Sequence, residues 1–235
     1  MELSGRKALV FGGTSGIGLA TCQRLAALGA SIVAISRNPE RARALLPAGA
    51  ELAACDVRDQ EALTALFARC APFDALVCAA TGGERAAGPF LQMDLGAYQR
   101  SFDKLWGYTN CVRLGTEHLT ADGAIVLVSG SPARRARAGQ TALASVGGAV
   151  EQFCRAAAVE LKPRRINVVA PGVIDTPMFG PDAERRATML QGATGRHLIP
   201  RAGTADEVAQ AIVFVIQNDF VTGTTIDVDG GWLLS

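Results

Sequence analysis

A glycine-rich segment near the start of the chain has the residue types that bind phosphate. Gly12, Gly16 and Gly18 follow the apolar run Lys7–Phe11, and a helical pattern begins directly after them. Glycine permits a tight turn, and it lets the backbone approach a pyrophosphate while the helix packs closely on the strand. The helix N-terminus adds unpaired N–H groups and partial positive charge. This context favours a nucleotide site over a simple tight turn. The contacts predicted here are Gly12, Thr14, Ser15, Gly16, Ile17 and Gly18.

A second apolar run ends at Ser36-Arg37-Asn38, and no carboxylate stands there to bind the ribose 2′-hydroxyl of NAD. Arg37 can instead pair with a 2′-phosphate, assisted by the hydroxyls of Thr14 and Ser15. The alternative is a solvated arginine at the end of a strand. We therefore expect NADP(H) to be favoured over NAD(H), with Ser36, Arg37 and Asn38 as further contacts.

The elements that position these residues alternate along the whole chain. Apolar, β-branched runs typical of buried strands are 7–11, 31–35, 73–78, 124–129 and 166–170, with a weaker one at 51–54. Helical patterns cover 17–28, 39–46, 60–69, 92–119, 142–161 and 205–217. This alternation predicts an α/β fold, in which one doubly wound parallel sheet of Rossmann type has helices on both faces. No linker divides residues 1–235, so a single dinucleotide-binding domain is expected.

The composition excludes several classes of function. Of 235 residues, 49% are hydrophobic, and 23 basic residues nearly balance 22 acidic ones, so neither disorder nor nucleic-acid binding is expected. No apolar run approaches the roughly 18 residues that span a bilayer. The six cysteines and two histidines lack metal-ligand spacing, so no metal site is expected. The start of the chain has no secretory pattern, and we expect a cytoplasmic location with reduced thiols.

Four segments together resemble the short-chain dehydrogenase/reductase family over essentially the whole chain. They are the glycine motif at 12–18, Cys55-Asp56-Val57, the segment 165–178, and Val221-Thr222-Gly223 with the segment 227–231. The resemblance implies transfer of a hydride between a nicotinamide cofactor and a carbonyl or alcohol carbon. It also implies a substrate lid at about 177–200.

The resemblance extends the predicted cofactor site. In the family, the position of Asp56 contacts adenine, backbone groups at Ile174 hold the nicotinamide amide, and Thr176 reaches the amide or the pyrophosphate. The positions added in this way are Asp56, Val57, Ala79, Ala80, Pro171, Gly172, Ile174 and Thr176.

The sequence departs from the family where the chemistry belongs. Family members transfer a proton with Tyr-x-x-x-Lys on the helix after strand five, aided by a preceding serine and by an asparagine on the helix before. Only two tyrosines exist, and the fourth residue after Tyr98 is Phe102, while the fourth after Tyr108 is Val112. Neither tyrosine therefore begins the family motif.

Aligning the altered helix on its flanking residues identifies what has replaced the catalytic groups. Leu143 and Gly147 fall at the tyrosine and lysine positions, and Gly130 falls at the serine position. Lys104 falls at the asparagine position. Leucine and glycine side chains cannot transfer a proton, so the family's acid–base device is missing.

Three residues are candidates to replace it: Lys104, Ser129 and Ser131. A lysine at an interior position needs a partner or a cavity, and Gly147 is expected to leave a cavity nearby. We hypothesise that the Lys104 amine points into the cleft toward the cofactor ribose, Ser129 or Ser131, with a lowered pKa. The alternatives are a lysine that reaches solvent and serine hydroxyls that only shape a turn.

Two further features are weaker candidates. The loop Ala133–Arg137 contains three arginines that either clamp an anionic substrate or are solvated. His197, within the lid segment, is a candidate acid.

Two functions remain open at this point. One is an NADP(H)-dependent oxidoreductase with an atypical active site for a small-molecule carbonyl or alcohol. The other is a catalytically inactive cofactor-binding protein, either a redox sensor or an inactive subunit of an oligomer. Non-redox chemistry has no positive support. The resemblance also implies a homodimer or homotetramer through the helical segments 92–119 and 142–161, with a second contact at Trp232-Leu233-Leu234.

Overall fold

The computed structural model describes residues 1–81, 83–180 and 182–235, and within them a seven-stranded parallel sheet forms the centre of the fold. Its strands are β1 (Lys7–Phe11), β2 (Ser31–Ser36), β3 (Glu51–Ala54), β4 (Phe73–Cys78), β5 (Leu119–Val128), β6 (Arg165–Pro171) and β7 (Thr225–Val228). The spatial order is β3-β2-β1-β4-β5-β6-β7. The order reverses between β1 and β4, and open α/β sheets bind ligands at such a point. The predicted fold class is confirmed.

Helices cover both faces of this sheet. They are α1 (Gly16–Ala27), α2 (Gln60–Cys70), α3 (Leu95–Ser101), α4 (Asp103–Gly115), α5 (Thr141–Glu160), α6 (Ala183–Thr194) and α7 (Ala205–Gln217). One face packs on α2, α4 and α5 through an apolar cluster that includes Phe67, Tyr108 and Val150. The opposite face packs on α1 and α7 through Leu25 and Ile212. Two buried layers therefore hold the strand ends, and the loops between them, in fixed positions.

The helical segment predicted at 92–119 is wrong as one helix, because α3 and α4 are separate and meet at Phe102. The Ser101 hydroxyl donates to the carbonyl of Ala97, and it accepts the backbone N–H of Ala86 at 2.9 Å. A serine that bonds to the carbonyl four residues before it bends a helix. Lys104 lies in the first turn of α4, directly after this break.

Other differences lie in short elements. Residues 39–45 form a 3₁₀ helix, and β7 was not predicted because its alternating residues lack a continuous apolar run. Within the expected lid at about 177–200, α6 is mostly exposed, and Pro181 lies outside the described residues. A two-stranded parallel ladder, 174–175 with 203–204, connects the start of that segment to α7.

Three further observations concern cysteines, metals and membranes. All six cysteines are free and buried. Over 1–81, 83–180 and 182–235, no cluster of three or more metal-ligating side chains is present. In the same ranges, no helix combines the length and apolar character needed to cross a bilayer.

Candidate cofactor and active site

A cleft of about 330 Å³ opens at the carboxyl ends of β1, β2, β3 and β4, where the sheet order reverses. The predicted cofactor contacts that line it are Gly12, Thr14, Ser15, Gly16, Ile17, Gly18, Ser36, Arg37, Asn38, Asp56, Val57, Ala79, Ala80 and Thr176. Lining residues that the sequence reasoning missed are Phe11, Ile35, Cys55, Thr81, Pro177 and Met178. Each of these adjoins a predicted position in sequence, so extending every motif by one or two residues would have found them.

The glycines shape this cleft by allowing close backbone contact. Gly12 has φ of +79°, and a Cβ there would lie 2.7 Å from the backbone nitrogen of Ala80. A Cβ on Gly18 would lie 2.1 Å from the carbonyl oxygen of Gly12. Ser15 precedes α1 without forming a side-chain cap, and the first turn of α1 has no acidic residue. The N-terminal N–H groups of α1 and its dipole are therefore available to an anion.

The far end of the cleft has polar groups without protein partners. The Ser36 hydroxyl is buried and makes no hydrogen bond with any described residue. Arg37 lines the cleft and is exposed, and no ion pair among residues 1–81, 83–180 and 182–235 includes it. Asp56 is held by Arg58, whose guanidinium hydrogen bond lowers the pKa of that carboxyl. These residues fit the ribose 2′-phosphate of a dinucleotide, because a free guanidinium and an unsatisfied hydroxyl converge there.

Three predicted contacts lie elsewhere. Pro171, Gly172 and Ile174 do not line the cleft. A Cβ on Gly172 would lie 2.8 Å from the Cα of Asp229, so this glycine allows close packing of the C-terminal segment. Ile174 is buried against Gly203. Contact between these residues and the nicotinamide stays a prediction.

Lys104 is buried beside Ser129, the residue that follows β5. Lys104 is 7% exposed, and its Nζ donates to the main-chain carbonyl of Ser129 at 3.3 Å. The same Nζ lies 5.5 Å from the centre of the Tyr108 ring. Burial, together with the positive charge of Arg85, lowers the pKa of the Lys104 amine to about 7. The amine therefore bonds to the backbone of Ser129, and a pKa of about 7 means that it gains and loses a proton near neutral pH.

A second, smaller cavity of about 20 Å³ lies beside the Lys104 side chain. Its lining residues are Thr81, Arg85, Ala86, Ser101, Lys104, Leu143 and Val146. Thr81 lines both this cavity and the large cleft. Lys104 and Leu143 therefore line one cavity, and Thr81 belongs to the lining of both that cavity and the cleft.

The cavity expected near Gly147 lies beside Leu143 and Val146 rather than at Gly147 itself. A Cβ on Gly147 would lie 3.0 Å from the Cβ of Ala133 and 3.5 Å from the carbonyl oxygen of Gly130. The 3₁₀ turn Ser131–Ala133 packs against α5 at this point. The loop after β5 occupies the volume that a longer side chain at 147 would need. Lys104 and Leu143 line the same small cavity.

The two candidate serines do not face the large cleft. The Ser129 hydroxyl donates to the buried carboxylate of Glu151 at 3.0 Å and accepts the N–H of Gly130 at 2.5 Å. The Ser131 hydroxyl is buried without a partner among the described residues. Neither serine lines the cleft or the smaller cavity, so their catalytic roles stay predictions.

The three arginines of the loop are exposed, as the solvated alternative expects, and each also contacts the C-terminal segment. Arg134 forms two hydrogen bonds with Asp227. Arg135 donates to the carbonyl of Trp232 at 2.8 Å, and Arg137 lies over the Trp232 ring at 5.1 Å. The arginines therefore attach the loop to the C-terminal segment, which the sequence alone did not indicate.

His197 and Trp232 pack against each other away from the cleft. Their rings stack at 6.1 Å, and both residues are buried. Burial lowers the pKa of His197, which opposes a role as a proton donor. Trp232 is 3% exposed within its own chain, so the expected contact through Trp232-Leu233-Leu234 is wrong for the tryptophan.

The fold and cleft define a class of protein, and comparison with known families agrees. The family model described as enoyl-(acyl carrier protein) reductase matches residues 12–233. The chain belongs to the short-chain dehydrogenase/reductase family of oxidoreductases.

Relatives match over nearly the whole chain. The cis-4-hydroxycyclohexanecarboxylate dehydrogenase of Sinomonas cyclohexanicum is 36% identical, covering 97% of this chain and 96% of that protein. The short-chain reductase protein NovJ of Streptomyces niveus is 34% identical, covering 95% of this chain and 92% of that protein.

Two solved structures of similar proteins hold a cofactor. A small-chain dehydrogenase in complex with NADPH matches with a TM-score of 0.85 at 29% identity, covering 98% of this chain and 99% of that one. A short-chain dehydrogenase from Burkholderia cenocepacia J2315 in complex with NADP has a TM-score of 0.85 at 30% identity, with the same coverage.

Proposed function

We propose that the protein is an NADP(H)-dependent oxidoreductase that acts on a carbonyl or alcohol and uses Lys104 to transfer the proton. The observation that carries the proposal is the buried Lys104 amine, whose side chain lines a cavity that shares Thr81 with the nucleotide cleft. A bound nicotinamide nucleotide would supply or accept the hydride. The chain has to bind the nucleotide, orient the substrate carbonyl and move one proton.

Cofactor preference follows from the free groups in the cleft. Arg37 has no carboxylate partner among the described residues, and the hydroxyl of Ser36 has no protein acceptor or donor. A guanidinium paired with a phosphate forms charge-assisted hydrogen bonds that NAD(H) cannot make. The two similar structures with NADPH and NADP support the same preference.

Lys104 has the properties that proton transfer requires. Its pKa of about 7 provides both protonation states near neutral pH, and general acids and bases work best under that condition. As an ammonium it would donate to the oxygen of a carbonyl during reduction, and as an amine it would accept from an alcohol during oxidation. Its hydrogen bond to the Ser129 carbonyl holds the side chain in the cavity.

One observation favours the second candidate function, a catalytically inactive NADP(H)-binding protein. The cavity beside Lys104 measures about 20 Å³, which holds about one water molecule, and Leu143 lies across it. Substrate would reach the amine only if the wall formed by Thr81 and Arg85 moved.

Titration calorimetry with NADPH and NADH tests binding, and loss of NADPH absorbance tests turnover on the same preparation. The carbonyl panel includes 4-oxocyclohexanecarboxylate, because one similar protein is named as a dehydrogenase of the corresponding alcohol. It also includes L-xylulose, because another similar protein is named as an L-xylulose reductase. NADPH consumption that Lys104→Met reduces by about 10²–10⁴-fold supports the oxidoreductase. Tight NADPH binding without turnover on any carbonyl supports the inactive binder.

The oligomeric state is also a proposal. Trp106 on α4 and Val159 on α5, the helices that the family resemblance places in the subunit contact, are 61% and 72% exposed. Burial of this surface between two copies would give a homodimer or a homotetramer. Light scattering after size-exclusion chromatography measures the mass directly, and a monomer would contradict the proposal.

A further inference from the structure

We propose that the substrate carries a carboxylate, and that Arg85 binds it at the opening between the nucleotide cleft and the Lys104 cavity. This inference rests on the proposed oxidoreductase function and names its substrate class. It assigns to Arg85 a role in specificity, separate from the proton transfer assigned to Lys104.

Arg85 lies at the junction of the two cavities. Its side chain lines the small cavity together with Lys104 and Thr81. Its guanidinium donates toward the sulfur of Met178 at 2.8 Å, and Met178 lines the large cleft. An anion bound to this guanidinium would therefore be close to both the cofactor and the proposed proton donor.

The positive charge of Arg85 is not neutralised by the protein. Over the described ranges, 1–81, 83–180 and 182–235, no ion pair includes Arg85. The two nearby acidic side chains are used elsewhere, because Glu84 accepts from Arg100 at 2.7 Å and Asp103 accepts from Arg58 at 2.9 Å. The one hydrogen bond of Arg85 goes to a thioether, which is a weak acceptor.

Lys104 adds a second uncompensated cation. Its only hydrogen bond among the described residues goes to a neutral carbonyl, and the other walls of its cavity are Ala86, Ser101, Leu143 and Val146. Parts of two cationic side chains thus line one cavity, and no carboxylate is among its lining residues. Isolated buried charge is unfavourable, so a ligand carboxylate held by the exposed Arg85 would also stabilise the buried Lys104 ammonium.

Guanidinium chemistry and size identify the ligand as a carboxylate. Arginine is permanently charged and binds a planar carboxylate through two parallel hydrogen bonds. Arg85 is exposed as a residue, so the carboxylate can reach it from solvent. Since the cavity of about 20 Å³ is too small for a whole substrate, we place the carboxylate at Arg85 outside the cavity, with the carbonyl oxygen directed toward the Lys104 amine.

The test compares two probes that differ in charge and little else, 4-oxopentanoate and 4-oxopentanamide. Calorimetry measures binding of each probe to protein saturated with NADP⁺, in which reduction cannot occur, and to protein without cofactor. We expect 4-oxopentanoate to bind at least tenfold more tightly, and we expect added salt to weaken only its binding. Arg85→Gln should abolish the difference.

Arg113→Gln is the matched control, because Arg113 is on the exposed face of α4 and pairs with Glu117 at 3.0 Å. It removes the same charge and should leave the preference for 4-oxopentanoate unchanged. Equal affinities, no measurable binding of either probe, or a preference that survives in Arg85→Gln would overturn the inference. Failure of the proposed function has a different signature. It would appear as absent NADP⁺ binding or absent turnover, while the cofactor-free titration still decides whether Arg85 selects the carboxylate.

Discussion

The nucleotide cleft and the cavity beside Lys104 are neighbours that were built in different ways. The cleft is shaped by backbone contacts around Gly12 and Gly18. The uncapped N–H groups of α1 and the guanidinium of Arg37 are available to bind an anion there. The cavity is small, is lined by side chains from four separate segments, and contains two cations. The shape of the cleft thus depends on local backbone geometry, whereas the shape of the cavity depends on how side chains from separate elements pack together.

The largest expected effect separates the cleft from the stability of the fold. Ser15→Asp places a carboxylate at the N-cap of α1, where it stabilises the helix but faces the bound pyrophosphate. Like charges about 4 Å apart repel by about 4 kcal/mol near a protein surface, so NADPH affinity should fall by about a hundredfold or more. Calorimetry measures the affinity, and thermal unfolding should show no loss of stability.

Ser15→Ala is the control for that substitution, and it should change NADPH affinity much less. If Ser15→Asp bound NADPH as well as the unaltered protein, the pyrophosphate would not lie at this helix N-terminus.

The pH dependence of stability tests the cavity. Lys104 has its pKa lowered from 10.5 to about 7, so between these values the unfolded chain binds more protons than the folded one. Stability from this group therefore rises with pH across the interval, by about 1.4 kcal/mol for each pH unit. Below about pH 7 the buried ammonium destabilises the fold by a constant amount, since both states are protonated.

Urea unfolding of the unaltered protein and of Lys104→Met at about pH 7.5 and about pH 9.5 measures this difference. Lys104→Met should lack this contribution, so the unaltered protein should gain stability relative to the variant as pH rises, and the variant should be the more stable of the two at the lower pH. Identical pH dependence in the two proteins would mean that the Lys104 amine is solvated.

Arg37, at the other end of the cleft, tests how the cleft distinguishes NADPH from NADH. Hydrogen bonds to charged groups contribute about 1.5–3 kcal/mol, so Arg37→Ala should weaken NADPH binding by roughly tenfold or more while leaving NADH binding unchanged. Arg41→Ala, on the exposed 3₁₀ helix that follows, is the control. Equal affinity of the unaltered protein for both cofactors would contradict the preference.

The smallest expected effect comes from two adjacent glycines of α5. A side chain at Gly147 meets the loop at Ala133, whereas nothing lies within 4 Å of a Cβ at Gly148. Gly147→Leu should therefore cost about 1–3 kcal/mol through overpacking. Gly148→Leu should be neutral or slightly stabilising, because leucine favours a helix more than glycine does. Urea unfolding compares the two variants, and equal stabilities would mean that the loop moves away freely.

Much of the fold and of the cofactor site follows from local sequence signals. Strand runs such as Lys7–Phe11 and Phe73–Cys78 are predicted at their observed bounds, because continuous apolar character reflects burial on both faces. The cleft residues around Gly12 are also predictable, because the strand, the tight turn and the helix that form this part of the cleft are consecutive in the chain. The break at Phe102 was missed because it depends on a bond between Ser101 and the distant loop at Ala86.

The sequence by itself determined that a dinucleotide cleft exists and that Leu143 and Gly147 cannot transfer a proton. Only the tertiary structure decided what replaced them. Arg134 bonds to Asp227, which is 93 residues away, and this contact holds the loop against α5 where a cavity was expected. Lys104 and Arg85 line one cavity because the loop after β4 packs beside the start of α4, where Ala86 bonds to Ser101. Pairings of this kind leave no periodic signal, since they depend on how separate elements pack together.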